Sequence, residues 1–243
     1  VPTLKAIAKK IPVLSAALST LRGYQLMSKD IDQVITQIYE TKAWGGAFSA
    51  SGTGSDVAQT RTLVQQLPLF LRGFAISSIL DIPCGEFSWM KELDRSNIDY
   101  TGADIVEAIV AANTRSYGSA GRRFVRLDLT KDPLPQADLL LCRDCLVHFS
   151  FADVFRALEN LCAGEFQYVA ATTFTDRTRN RDIVTGQWRA LNLERPPIAL
   201  PKPIYLINEG CTEDNGAYAD KALGFWKTAD IRVTLMNRRQ PGR

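Results

Sequence analysis

Three apolar runs in this chain each end in an aspartate. SSILD (77–81) runs into Asp81 and then into the turn Pro83-Cys84-Gly85; YTGAD ends in Asp104, and RFVRLD ends in Asp128. A strand delivering an acid, a glycine turn whose backbone N–H groups admit a polar ligand tail, and a second carboxylate able to hold a ribose open a nucleotide-binding βαβ unit. One such aspartate alone is ordinary turn or cap chemistry. Three on one sheet edge are specific. A fourth run, ADLLLC, leads to Arg143, Asp144 and His148, the only histidine of the chain. With a reference pKa of about 6.5, the imidazole can take a proton from a hydroxyl as that oxygen attacks. Asp144 is the rival base. The plainer alternative has His148 packed at the start of the next helix, bonded to a backbone carbonyl.

The turn lacks the dinucleotide fingerprint GxGxxG. DIPCGEF resembles motif I of class I S-adenosyl-L-methionine (SAM) dependent methyltransferases, usually D/E-x-G-x-G-x-G, with Pro83 and Phe87 at the first and third glycine positions. The wider pattern SGxGS, DIPCG-x-F-x-W-M, CRD-C-L-V-H and TGQWR-x-LNL-x-x-PP, spread over residues 44–228, is similar to a DIPCG-type subgroup of bacterial and algal methyltransferase-like proteins. The resemblance implies SAM as cofactor. Pro83, Cys84 and Gly85 would offer N–H groups and a helix dipole to its tail carboxylate, and Asp81 would accept from its ammonium. Asp104, with Ile105 beside it, would take the ribose diol. Asp128 would accept from the adenine amino group and Leu129 would stack, with Arg143 completing the cofactor set. LVHFS would flank the methyl. Transfer from a sulfonium is already downhill, so alignment can supply most of the catalysis and a base is not obligatory.

These residues need a frame. Short apolar runs near 76–81, 99–104, 123–128, 138–143 and 167–173 alternate with helical patterns near 87–94, 106–117 and 151–162. Such alternation predicts an α/β fold, a doubly wound and mostly parallel sheet; the resemblance implies seven strands, the Rossmann-like methyltransferase fold. Ser150 with Asp153 predicts a capping box on the third helix, and the proline-broken link KDPLPQ predicts a short or degenerate one. PIYLI (203–207) and LGFWKTA (223–229) read as closing strands. Ahead of the sheet, Leu4 to Leu21 carry a helical apolar face divided by Pro12. A second helix is expected over 29–40, and a third starts at Asp56 and ends near Pro68. The expected division is a helical extension with a lid loop over 1–72 and a SAM-binding domain over 73–243.

Two loops are candidates for the substrate side. WGGAFSASGTGSD (44–56) has the flexibility of a lid or an anion nest. TGQWRALNLERPP sets Trp188 beside Arg189 for stacking and charge matching, or as a plug for the sheet edge. Cys142-x-x-Cys145 with Cys84 and His148 would suit tetrahedral zinc. Cys84, however, lies in the cofactor turn and no second CxxC exists, so core thiols and no metal are expected.

The 243 residues, 46% hydrophobic and 23% charged, suit one α/β domain with an extension. A net charge of +3 and dispersed arginines argue against a nucleic-acid surface. Five cysteines at irregular spacing suit a reducing compartment, so a cytoplasmic location is expected, and no membrane span is apparent. The leading expectation is methylation of a small-molecule or glycan acceptor, on oxygen. The Asn/Asp-Pro-Pro-Tyr/Phe motif of adenine and amide N-methylation is absent after the fourth strand. An RNA methyltransferase, a nicotinamide oxidoreductase with an atypical turn and a non-catalytic SAM- or nucleotide-binding protein are the alternatives.

Overall fold

The structure, a computed structural model, describes residues 29–43, 53–94 and 97–239. The helix expected over Leu4–Leu21 and most of the glycine- and serine-rich loop lie outside the described residues. Twelve elements carry the fold: α1 (Ile31–Glu40), α2 (Val57–Gly73), β1 (Ser78–Asp81), β2 (Asp99–Asp104), α3 (Glu107–Tyr117), β3 (Arg122–Arg126), β4 (Leu139–Cys142), α4 (Phe151–Ala163), β5 (Tyr168–Phe174), β6 (Tyr205–Asn208), β7 (Lys221–Lys227) and α5 (Thr228–Arg239).

The seven strands form one sheet in the order β3-β2-β1-β4-β5-β7-β6, and only β7 runs antiparallel to its neighbours. The strand order reverses at β1, between β2 and β4. In an open α/β sheet the crevice beyond the strand ends at such a reversal is where ligands bind. Successive strand residues alternate between the faces. Ile79, Leu139 and Leu141 pack with Leu63, Leu67 and Phe70 of α2. Leu80, Leu140 and Cys142 pack with Val154, Leu158 and Leu161 of α4 and Ile231 of α5. Thus α2 belongs to the same core as the sheet.

Local expectations failed at two places. Residues 87–94 form no α-helix, only a 3₁₀ turn at Met90–Glu92. Phe87 enters with φ +58, a left-handed conformation that cannot begin a right-handed helix. Pro68 does not end α2, which continues to Gly73. An interior proline costs about 3 kcal/mol, and burial of Phe70 and Leu71 beyond it offsets that. The KDPLPQ link carries no helix at all.

Residues 175–204 contain neither helix nor strand. They are nevertheless packed, with Leu191, Leu193, Ile198 and Leu200 buried. The backbone follows the turn Leu146–His148: Gly186 N–H donates to His148 O at 2.8 Å and Arg189 N–H to Val147 O at 3.1 Å. The same segment completes the α4 cap. Ser150 Oγ accepts from Asp153 N–H at 3.2 Å. The reciprocal half of the box is relayed, since Ser150 N–H donates to Thr185 Oγ1, whose hydroxyl bonds Asp153 Oδ2.

Candidate functional site

A cavity opens at the carboxyl edge of the sheet, where the strand order reverses. The exit of β1 contributes Asp81, Pro83, Cys84 and Gly85, and β2 contributes Asp104 and Ile105. The segment after β3 brings Asp128 and Leu129, and the segment after β4 brings Arg143, Asp144 and His148. Trp188 and Arg189 do not line it. Trp188 packs edge-on to Phe174 and Tyr218, and Arg189 is buried, donating through Nη1 to Phe149 O at 2.6 Å. Their loop props the wall from behind. The pair thus stands outside this cavity, nearer the wall-plugging alternative than the substrate-contact one.

Ile31, Ile35 and Tyr39 of α1 cover the cavity and were not foreseen, and Ser55 joins them from the 44–56 loop that was. This roof is tied down by an ion pair from Asp32 to Arg126 and by packing of Val34 and Ile38 with Val184. Behind the β4 exit lie Glu209 and Lys221, both buried. Each charge borders an apolar run (PIYLIN before Glu209, ALGFW after Lys221), and that contrast was the available signal.

On the β1–β2 side, the Asp104 carboxylate accepts from Gly85 N–H at 3.1 Å and Val106 N–H at 3.0 Å. Burial nonetheless pushes its pKa up to about 6, opposed by those backbone bonds. Ile105 N–H adds a third such bond, and the carboxylate's remaining acceptor capacity can take a hydroxyl of a diol. Tyr100 donates its hydroxyl to Asp81 Oδ2 at 2.6 Å. The turn itself offers less than expected. Pro83 has no N–H, Cys84 N–H bonds Ala103 O at 2.8 Å, and Gly85 N–H is taken by Asp104. With no α-helix directly after it, the turn brings no helix dipole of its own. An entering anion would meet Arg143, the cation among the described residues lining the cavity.

Asp128 accepts from Thr130 N–H and Oγ1 at Oδ1, at 2.8 and 2.6 Å. Its Oδ2 is buried and accepts no hydrogen bond, although Lys131 Nζ stands 3.3 Å away. A buried carboxylate oxygen with spare capacity, beside the apolar Leu127 and Leu129, suits the amino edge of a purine.

The β4 side is a buried ion network. Arg143 donates through Nε and Nη2 to both oxygens of Glu209, at 3.2 and 2.7 Å, and through Nη2 to Gly54 O at 2.8 Å. Lys221 Nζ donates to Asp144 Oδ2 at 2.7 Å and lies 3.6 Å from Glu209. Burial would raise the Asp144 pKa, but the Lys221 ammonium and the Arg143 guanidinium hold it well below the usual carboxylate range. So occupied, Asp144 is a weak base. His148 Nδ1 is 3.0 Å from Gln187 O. A carbonyl only accepts, so Nδ1 carries the proton and Nε2 is the acceptor of the neutral ring. Burial pushes this imidazole down to about 4, so it is neutral at pH 7. Among the described residues no cluster of three His, Cys, Asp or Glu side chains could hold a metal ion.

No protein-family model and no curated protein matches the chain. Solved structures do. N-methyltransferase NodS from Bradyrhizobium japonicum, in complex with S-adenosyl-L-homocysteine, aligns with a TM-score of 0.58 at 14% identity, over 82% of this chain and 98% of its own. The fold is that of class I methyltransferases. Human N-acetylserotonin methyltransferase, in complex with SAM, aligns at 0.57 and 14% identity over 82% of this chain. This chain spans 60% of that enzyme's length. The methyltransferase domain of bacterial CtHen1 aligns at 0.52 and 12% identity, over 69% of this chain and 98% of its own. Among the described residues no helix is long and apolar enough to cross a membrane.

Proposed function

We propose that the chain is a SAM-dependent methyltransferase that methylates a hydroxyl of a small molecule or glycan. The observation that supports this most is the meeting of Asp81, Asp104 and Asp128, from three adjacent strand exits, around one cavity at the switch point. Asp104 takes the ribose diol, Asp128 Oδ2 the adenine amino group, and Leu129 packs on the ring. Arg143 receives the tail carboxylate in place of the turn, and Asp81 faces the ammonium. The donor supplies a methyl made electrophilic by a sulfonium. The chain's part is to exclude water with the α1 roof and to align the acceptor between Ser55, Asp144 and His148. His148 Nε2 accepts the hydroxyl proton, while Gln187 O keeps the ring in the required tautomer.

Of the extension expected over 1–72, α1 bears the roof while α2 shares the core of the domain over 73–243, and membership of the DIPCG-type subgroup rests on the quoted motifs. Five free thiols, four of them buried, fit the reducing cytoplasm. Isothermal titration with SAM, NAD and RNA tests the reading. Binding of SAM alone, followed by turnover on a hydroxyl acceptor, is the expected result. Binding of NAD or RNA without SAM overturns it, and SAM binding with no turnover on any acceptor leaves a non-catalytic binder.

A further inference from the structure

A cation suits the donor's tail carboxylate, and the described wall of the cavity provides Arg143. A guanidinium has five N–H donors in a rigid fork. Glu209 takes Nε and one donor of Nη2, and Gly54 O takes the other. Nη1 is left with only the looser 3.3 Å ion pair to Asp144 Oδ2. Glu209 itself is remote from the chemistry: it follows the edge strand β6, is 2% exposed and does not line the cavity. It reaches Arg143 because β7 is inserted antiparallel between β5 and β6, which places the end of β6 near the beginning of β7. Lys221 at that beginning lies 2.7 Å from Asp144 and 3.6 Å from Glu209, so it offsets the repulsion between the two carboxylates. The geometry fixes the Nε and Nη2 side of Arg143 and leaves Nη1, beside Asp144 at the cavity wall, as the side with spare donor capacity.

We infer that Glu209 is a positioning residue for the donor, clamping Arg143 in the orientation that receives the tail carboxylate. The inference rests on the SAM reading above. Its consequence is selective. Removing the clamp should weaken a ligand that has an amino-acid tail and spare one that lacks it, because the adenosine partners Asp104 and Asp128 belong to other strands. A residue that only held the fold together would affect both ligands alike.

The test is isothermal titration of the full chain with S-adenosylhomocysteine and with 5′-methylthioadenosine, which shares the adenosine thioether but has no amino-acid tail. Glu209→Gln keeps the volume and loses the charge. It should lower the affinity for S-adenosylhomocysteine about tenfold, the scale of one charge-assisted bond, and leave that for methylthioadenosine within about twofold. Glu209→Asp keeps the charge but shortens the reach, and should show the same selective loss if the Gln variant does not fold. Equal weakening of both ligands, no weakening of either, or failure of both variants to fold overturns the positioning role. If the wild type binds both ligands equally well, the tail assignment falls and the adenosine site stands. If it binds neither, the donor reading falls and takes this inference with it.

Discussion

Gly85 N–H donates to Asp104 Oδ2 at 3.1 Å, so the motif turn holds the acid at the end of β2. The glycine stands at φ +52 and its carbonyl is fixed by Asn113 Nδ2 at 2.7 Å. Two adjacent strand exits are thereby cross-linked through a backbone donor. The turn's contribution is to orient a carboxylate, and the cation of the cavity wall, Arg143, comes from β4's exit instead.

Donor binding should fall with acidity. Burial raises the Asp104 pKa to about 6, and a ribose diol is held by its ionised form. Above pH 7 the group is charged and affinity is level; as pH drops through 6 the carboxyl protonates and loses acceptor capacity. At pH 5 the dissociation constant of S-adenosylhomocysteine should be about tenfold higher than at pH 7.5. The stability linkage has the opposite sign. Because the folded pKa lies above the unfolded one, apo-protein stability gains from this group as pH falls from about 6 towards 4. Titrations across pH 5–8 with wild type and Asp104→Asn check this, and a pH-independent wild-type affinity would refute it.

Phe87 fills the third glycine position of the motif with a buried ring, 5.2 Å from Tyr100 and 5.3 Å from Phe124 between centroids. Phe87→Ala should cost about 3–5 kcal/mol of unfolding free energy. Phe87→Gly deletes the same ring but relieves the left-handed backbone, worth about 1 kcal/mol. Urea midpoints should therefore rank wild type above Gly, and Gly at or above Ala. A Gly variant clearly below Ala would show that φ at 87 is not strained.

Hydrogen exchange should separate the two loops that sequence reading paired as substrate walls. The TGQWR backbone is already bonded, with Gly186 and Arg189 N–H on His148 and Val147. It should be protected without ligand and change little on binding. The 53–55 turn is held by Arg143 on Gly54 O and more loosely by Ser88 Oγ, 3.4 Å from Ser55 O. It should gain protection when S-adenosylhomocysteine binds. A Cβ at Gly54 would stand 2.9 Å from Asp144 Oδ2, so Gly54→Ala should lift the turn and abolish that gain. Equal protection of 53–55 with and without ligand would make it fixed packing.

The acids Asp81 and Asp104 were legible because an apolar run ending in a carboxylate is a local pattern, and the alternation of such runs with helical patterns placed them in a parallel sheet. Arg143 and Asp144 were legible as residues but not as an ion network. Their partners Glu209 and Lys221 lie far along the chain and meet them only through the insertion of β7. Nothing local distinguishes a Trp-Arg pair that faces a substrate from one that anchors a wall, so both readings of Trp188 and Arg189 stood open until the structure placed them outside the cavity lining. The turn after Gly85 was misread for a similar reason. Phe87, Met90 and Leu93 have helical spacing, but the ring of Phe87 is drawn into the aromatic cluster of Tyr100, Tyr117 and Phe124 and forces a left-handed entry.

Of the two candidate bases His148 is the less weakened, and its environment sets the pH at which it should fail. The unperturbed imidazole would lose its lone pair to a proton near pH 6.5. Burial lowers that point to about 4, since charging the ring inside the cavity wall is costly and the neighbouring Asp144 only partly compensates. At saturating donor and acceptor, kcat should therefore hold down to about pH 5 and fall only as pH approaches 4. The ratio kcat/KM for the donor should already decline near pH 6 through Asp104. His148→Ala should lower kcat by about 10²–10⁴-fold, the range for a positioned base, and leave S-adenosylhomocysteine affinity nearly unchanged. Asp144→Asn should act differently. It removes the counterion of Lys221 and Arg143, so it should weaken the fold and donor binding together. A His148→Ala enzyme with near-normal kcat would mean that alignment of acceptor and methyl suffices, and the imidazole would then serve only as the anchor for Gln187.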